Sequence, residues 1–522
     1  MSFTAAFGQR PGCVPLDPGP RRWEPGLLLL DRLRPTRLLS GTVLLGLLGA
    51  VLVAAMAVGA GGILVNDPLI DGGPLSWIRY GHGRDLATGG LYLGVGLLIW
   101  AWVRLGRDVL NGRAGTPQVR TAMVAWAAPL LFAPPLFTRD VYSYLAQGAL
   151  ALHGLDPYQF GPVKLPPGPI PDNVHYVWQT TPSPYGPLFI LIAKTVSWLS
   201  GDDVILGVLL MRLVLLSGLA LLAVTVPRLA EHLGGTPAGA QWLVLTNPLT
   251  LVLLVGGPHN DLLMIGLLTA GTLLALRRRH IAGIALVTAA MAVKAVAGIV
   301  LVFLIWVWAS RLPGSRGMRL LRAGSGSAAA LIAGFGAFNW LAGVGFGWIP
   351  ALTVPSLIVN WLSLPTAVGE LSYAVATVFG QFSSHPFITT CRVLGSVTFL
   401  MVLIRQWWLA RTGGPLAARR AALVLLWAAL LAPATLPWYF SWALALAAAL
   451  PWTAHRLAWL VSGCTWLVLC TYPTGESAFT SWPYQLAVAA VAMLAGTALL
   501  RPDPLRLHGR PSLTPRAPSE QV

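Results

Sequence analysis

The chain has 522 residues, 56% of them hydrophobic and only 10% charged, with a net charge of +17. An ordinary soluble domain carries about 25% charged residues, so this composition excludes a water-soluble globule, and its hydrophobicity excludes intrinsic disorder. The 56 glycines, 41 prolines and 22 tryptophans fit helices in a bilayer, where glycine and proline are tolerated and tryptophan gathers at the membrane–water boundary. The class expected is an all-α, polytopic integral membrane protein whose first partner is the lipid bilayer.

In chain order, residues 1–37 form a basic, Pro/Arg-rich segment expected to be cytoplasmic. Residues 38–500 form the transmembrane domain, and 501–522 a disordered cytoplasmic tail. Apolar runs occupy about 38–60, 86–106, 119–135, 186–200, 204–226, 237–258, 260–276, 281–309, 324–343, 366–380, 388–408, 421–436, 440–454, 457–473 and 483–500. At roughly 20 apolar residues per crossing, these give about 12–14 transmembrane helices, counting short re-entrant ones. Lysines occur only at 164, 194 and 294, so arginine carries nearly all the positive charge. The arginines cluster between the runs, at 10–37, 104–120, 277–279, 311–322, 405–420 and 501–516. Such clusters mark cytoplasmic loops and put both termini inside. A nucleic-acid patch needs a soluble module to display it, and none is present. Cys13, Cys391, Cys464 and Cys470 lack metal-ligand spacing, so neither a disulfide nor a metal is expected.

Two runs have the wrong parity for single crossings. Arginines 277–279 and 311–322 both belong inside, yet one apolar run, 281–309, joins them. That run must go in and come back, with Lys294 at the outer tip of a hairpin. Between 186 and 258, three runs join two outer loops, so one run is re-entrant. Pro248 and Gly256-Gly257-Pro258 favour 237–258; Asp202, Asp203 and Arg228 argue instead for 186–200. The long outer segments are then 61–85, 136–185 and 344–387, and Val141 to His153 reads as an interfacial helix within the second.

Four constellations converge on this outer surface. Phe137-Thr138-Arg139-Asp140-Val141-Tyr142 puts a carboxylate at a helix start. There it serves either as a cap or as a general base toward a hydroxyl. Gly256-Gly257-Pro258-His259-Asn260-Asp261 offers a turn and cap, or a cradle for sugar hydroxyls or phosphate. Lys294 lies too far from a run's end to snorkel, and its ammonium suits a phosphate leaving group. Leu436-Pro437-Trp438-Tyr439-Phe440-Ser441-Trp442 is a membrane-boundary belt, or a wall on which a pyranose stacks. His385 and Glu370 are weaker candidates. No nucleotide-binding motif is present, so a transferase on this face needs a lipid-linked sugar phosphate.

These motifs resemble the GT-C glycosyltransferases. More closely, TRDVYSYLAQGALALHGLDPYQFGP at 138–162, TPSPYGPLF at 181–189, NPLTLVLLVGGPHNDLL at 247–263, the Lys294 segment and LPWYFSW at 436–442 look like the actinobacterial α-1,6-mannosyltransferases of the MptA/MptB type. The resemblance covers roughly 38–500 and makes 136–185 the catalytic extracytoplasmic loop. It implies transfer of mannose from polyprenyl-phosphate mannose to the lipid-anchored α-1,6-mannan of lipomannan and lipoarabinomannan, with inversion, in the plasma membrane and without a cofactor. On that pattern Asp140 is the base, and Lys294, Arg139 and His259 face the donor phosphate. Asn260, Asp261, Tyr142, Trp438 and Tyr439 hold sugar or acceptor. Two other readings remain at this stage. One is a GT-C enzyme with an arabinosyl or glucosyl donor; the other is a lipid-sugar flippase, which would need polar residues along a path through the membrane.

Overall fold

A computed structural model describes residues 40–472 and 481–501. The N-terminal segment 1–37 and residues 502–522 of the tail, with their arginines, lie outside the described residues. Among the described residues there is no β-strand. The helices are α1 Gly41–Ala60, α2 Gly81–Leu110, α3 Thr116–Leu130, α4 Asp140–Leu152, α5 Pro169–Asp172, α6 Tyr176–Gln179, α7 Pro187–Ser200, α8 Val204–Leu233, α9 Pro237–Leu245, α10 Asp261–Leu276, α11 His280–Val293, α12 Gly298–Ala309, α13 Arg316–Ala342, α14 Trp348–Ala351, α15 Leu364–Ala376, α16 Ser384–Leu409, α17 Gly414–Leu431, α18 Phe440–Ala447, α19 Ala454–Leu469 and α20 Trp482–Leu500. A π-helical stretch, Leu249–Gly256, follows α9. Among the described residues, seven helices are long and apolar enough to cross a membrane, and α9 with its π-helical extension makes an eighth. Four shorter apolar helices accompany them. The chain is therefore the polytopic all-α membrane protein that its composition requires.

The two ends of the bundle are set by α8 and its neighbours. Near its start, Arg212 donates to the carbonyls of Leu131, Ala133 and Gly256. At its far end, the Leu233 carbonyl accepts from Arg419. The 21 residues between span about 30 Å of helix, one hydrocarbon thickness. Helix α10 runs parallel to α8, with Thr225 and Thr269 in contact at 3.2 Å. Asp261 thus lies at the Arg212 end, and Arg277 at the Leu233 end.

The 281–309 run doubles back as its flanking arginines demand. Lys294 breaks the helix with extended backbone, φ −148° and ψ 124°. Its ammonium reaches Asp261, at the Arg212 end. The far ends meet: the His280 and Trp308 rings stack at 5.8 Å, and Arg311 donates to the Leu276 carbonyl at 2.9 Å. Lys294 is the tip of a hairpin.

The preference for 237–258 as the re-entrant run is overturned. At one end of that run, Gly235 bonds to Ala449 beside Leu233; at the other, Gly256 accepts from Arg212. It crosses the full depth and is bent by only 49°. Pro248 supplies no N–H and kinks a helix without reversing it; the chain resumes beyond it as a π-helix. The segment that stays at one level is α7. Gly186, just before it, donates to the Val293 carbonyl near the hairpin tip, and Asp203, just after it, caps α8 by accepting from the Leu206 N–H.

Candidate active site

The site is assembled where two loops meet. Phe137 adopts a left-handed backbone, φ 57°, a conformation rare for a bulky residue, and turns the chain abruptly into α4. The Asp140 N–H donates to Thr138 Oγ1 at 3.0 Å, which starts that helix with a carboxylate in its favourable first turn. The second loop, 257–260, lies directly against the first: Leu136 N–H donates to the Gly256 carbonyl at 3.1 Å. Gly257 packs so closely on the Leu136 carbonyl that a Cβ would collide with it. Arg212, 3% exposed, clamps both loops through the carbonyls of Leu131, Ala133 and Gly256.

This clamp brings Asp140 Oδ2 to 3.5 Å from His259 Nδ1. The imidazole is buried and stacks on Trp438 at 3.9 Å between ring centres. Beside it, Asp261 is fully buried. Its two carboxylate oxygens accept from Lys294 Nζ at 2.9 and 2.8 Å, and one also accepts from the Trp442 indole. The Lys294 ammonium sits over the rings of Tyr439 and Trp442, 4.9 and 5.5 Å from their centres. Cation–π attraction of this kind adds to the ion pair.

A cavity of about 500 Å³ opens beside these groups; His259, expected to face a donor phosphate, and Asp261 are not among its lining residues. Asp140 and Lys294 are the two charged side chains lining it, with Trp178, Tyr185, Trp438, Tyr439 and Trp442 as aromatic walls. Its other side is apolar, formed by Ile299, Phe399 and Leu431. Burial pushes the Asp140 carboxyl up to about 6. The Lys294 charge and hydrogen bonds from Trp178 and Thr138 oppose that rise, while Asp261 adds to it. Such a carboxylate is mostly ionised at neutral pH yet still basic, the property a general base requires. Burial, and then the nearby Lys294 charge, hold His259 well below the usual imidazole range, so its ring is neutral.

Several residues expected at the site take other roles. Arg139 does not line the cavity. Its guanidinium donates to the carbonyls of Asn173 and Ile63 and lies over the Tyr142 ring. It braces α4 against the loop near Asn173, because one planar fork satisfies several buried carbonyls at once. Tyr142 is also turned away, its hydroxyl donating to the Gly62 carbonyl. Asp261 is occupied by Lys294 and Trp442, which leaves it the anchor of the ammonium rather than a hydroxyl acceptor. The carboxamide of Asn260 is buried, and neither its oxygen nor its nitrogen has a hydrogen-bond partner among the described residues. Exposed His385 and half-buried Glu370 are not among the lining residues. Trp178 and Tyr185, which sequence reasoning passed over, are in the wall. Their only signal is two aromatic residues in the single stretch WQTTPSPYG at 178–186, within an otherwise proline-rich loop. Among the described residues, no group of three or more His, Cys, Asp or Glu side chains is placed to hold a metal ion.

A multi-span helical membrane protein with a carboxylate, an ammonium and aromatic walls in one cavity has the equipment of a membrane glycosyltransferase. The chain belongs to the α-(1→6)-mannopyranosyltransferase family. Residues 43–310 match the family described as "Alpha-(1->6)-mannopyranosyltransferase, N-terminal domain", and residues 365–501 match "MptB C-terminal domain". The chain is similar to alpha-(1->6)-mannopyranosyltransferase A of Mycobacterium tuberculosis, 42% identical across 89% of this chain and 90% of that protein. The enzyme of the same name from Corynebacterium glutamicum is 33% identical across 73% of this chain and 83% of its own length. Alpha-(1->6)-mannopyranosyltransferase B of the same organism is 30% identical across 77% and 71%. No solved structure matches. The protein is accordingly a membrane mannosyltransferase of the MptA/MptB type.

Proposed function

We propose that the protein transfers mannose from polyprenyl-phosphate mannose to the 6-hydroxyl of an α-1,6-mannan chain on a lipid anchor, the backbone of lipomannan and lipoarabinomannan. The observation that carries this reading is the pairing of Asp140 with Lys294 across a cavity whose far wall is apolar. Asp140 removes the proton from the acceptor hydroxyl as its oxygen attacks C1 of the mannose. The C1–O bond to phosphate breaks, and the polyprenyl phosphate leaves with the electron pair. Its growing negative charge faces Lys294, the cation in the cavity wall. Attack opposite a β-linked phosphate inverts C1 and yields the α linkage. His259, neutral and stacked on Trp438, packs beside the Asp140 carboxylate. The aromatic walls stack on sugar faces, and Asn260 offers an unspent carboxamide.

The reading places the arginine clusters at 277–279 and 405–420 in the cytoplasm of a plasma-membrane protein. The cavity then opens on the extracytoplasmic side, where nucleotide sugars do not reach. The domain at 38–500 acts as one catalytic unit, with 136–185 as its catalytic loop. A flippase would need charged side chains along a path through the bundle; here the charged pair sits at one level, and the polar residues buried toward the arginine end, such as Thr225, Gln241 and Thr269, are uncharged. The test is a donor panel with purified protein and a short α-1,6-mannoside. Mannose transfer should exceed arabinose and glucose transfer from the same lipid phosphate by about 100-fold or more, a difference of some 3 kcal/mol in transition-state binding. Equal use of another sugar, or sugar movement across proteoliposomes with no bond formed, overturns it.

A further inference from the structure

A second cavity, about 740 Å³, is larger than the catalytic one and lies on the opposite face of α17 and α18. It runs between α17 and α19, from Trp452 and Trp459 toward the arginine end up to Leu430 and Leu467. No charged side chain lines it. Its cause is local and legible. Helix α18 has 8 residues, whereas its neighbours α17 and α19 have 18 and 16. At 1.5 Å per residue the short helix covers about 12 Å, so it cannot fill the trough between the longer two. Apolar side chains left facing a gap lose their dispersion contacts, and water gains nothing in a site without polar partners.

We infer that this trough is a binding site for one acyl chain of a bilayer phospholipid, and that the bound chain sets the position of α18. Three observations commit the occupant. The trough lies within the depth of the membrane-crossing helices, so the surrounding solvent is hydrocarbon. It is separated by α17 and α18 from the cavity holding Lys294, so the donor's own tail, leaving along Ile299, Phe399 and Leu431, does not enter it. It is also concave and edged by indoles rather than a flat lipid-facing helix surface. The link to catalysis is the division of α18 and the turn before it. Phe440, Ala443 and Ala447 face the trough, while Trp438, Tyr439 and Trp442 face the catalytic cavity. A chain seated behind α18 supports the helix that presses Trp438 onto His259 and Trp442 onto Asp261.

Gly463 makes the site testable, because a side chain added there meets open space. The protein is reconstituted in nanodiscs containing a phosphatidylglycerol with a diazirine in one acyl chain, then irradiated, and the adducts are mapped by mass spectrometry. Residues 454–469 should be labelled about tenfold more densely than the outward face of α16, which samples bulk lipid, and Gly463→Phe should remove about nine-tenths of that excess. A chain in the trough also stabilises the protein, so lipid depletion should lower the melting temperature of wild type and not of Gly463→Phe. Equal labelling of the two helices, or labelling that Gly463→Phe leaves unchanged, overturns the proposal. Should Gly463→Phe fail to fold, Gly463→Leu carries the same expectation. The readout is binding, so it stands apart from the identity of the donor sugar.

Discussion

Both carboxylate oxygens of Asp261 accept from the ammonium of Lys294, at 2.9 and 2.8 Å, and this pair joins the start of one helix to the tip of the next hairpin. Asp261 is fully buried and Lys294 is 17% exposed, toward the cavity. Removing one partner of a buried pair strands the other charge at a cost of about 3–5 kcal/mol, whereas replacing both by apolar residues of similar volume is often neutral. Asp261→Leu and Lys294→Met alone should each lower the melting temperature sharply. The double substitution should restore the fold, as read by size-exclusion profile and melting curve, and leave transfer abolished. Recovery of transfer in the double variant would take Lys294 out of the reaction.

The hairpin that carries Lys294 was legible from the sequence because charge placement obeys parity: two arginine clusters on one side cannot be joined by a single crossing. The same logic found the conflict between 186 and 258 but chose the wrong run. Proline and glycine at 248 and 256–258 mark a bend, and a bend of 49° does not reverse direction; the acids at 202 and 203 were the better signal, since Asp203 caps a helix that starts at the Arg212 end. Asp140, His259 and Lys294 stand out as rare polar residues in apolar surroundings, and they do converge. Arg139 and Tyr142 looked equally polar, yet both are satisfied by backbone carbonyls of distant segments, Ile63, Asn173 and Gly62. Which of two adjacent residues faces a cavity depends on the direction of the helix start, and that is set by the left-handed Phe137, which no pattern announces. Trp178 came into the wall through a four-residue helix inside an irregular loop, where periodicity has nothing to read.

Asp140 combines function with a cost in stability. Its carboxyl holds its proton up to about 6, above the ordinary value of 3.8, so the folded state binds that proton more tightly than the unfolded chain does. The stability from this group is fully present below about 4 and lost as pH rises through 6. Asp140→Asn should therefore raise stability at pH 7.5, by on the order of 3 kcal/mol, with the gain shrinking toward pH 5. The same substitution should lower kcat by about 1,000-fold or more, since it removes the general base. Melting curves at the two pH values, alongside transfer rates, check both halves.

The Arg212 clamp predicts a different failure. Its guanidinium serves three carbonyls, two on the loop before Asp140 and one on the loop before His259. The Gly256 carbonyl keeps the Leu136 N–H, but the carbonyls of Leu131 and Ala133 would lose their donor, at about 1–3 kcal/mol each when buried. Arg212→Met should yield little folded protein. Arg212→Lys, with a compact ammonium in place of the planar fork, should fold but let the loops separate. In that variant kcat should fall with little change in donor binding, because the cavity wall that holds Lys294 is untouched. Donor titration by tryptophan quenching, compared with single-turnover transfer, separates the two effects.

The pH dependence of transfer tests the electrostatics of the cavity itself. Below about 6 the Asp140 carboxylate is protonated, so kcat/KM should fall about tenfold per pH unit on the acid side. His259 stays neutral throughout that range, because burial and Lys294 hold it well below the usual imidazole value, and it should add no second limb above pH 6. Trp178 contributes a hydrogen bond that favours the ionised carboxylate. Trp178→Phe keeps an aromatic wall and removes that bond, so the midpoint of the acid limb should move to higher pH while the plateau rate changes little. A lost plateau with an unmoved midpoint would mean that Trp178 serves as a sugar-stacking wall and has no part in setting the basicity of Asp140.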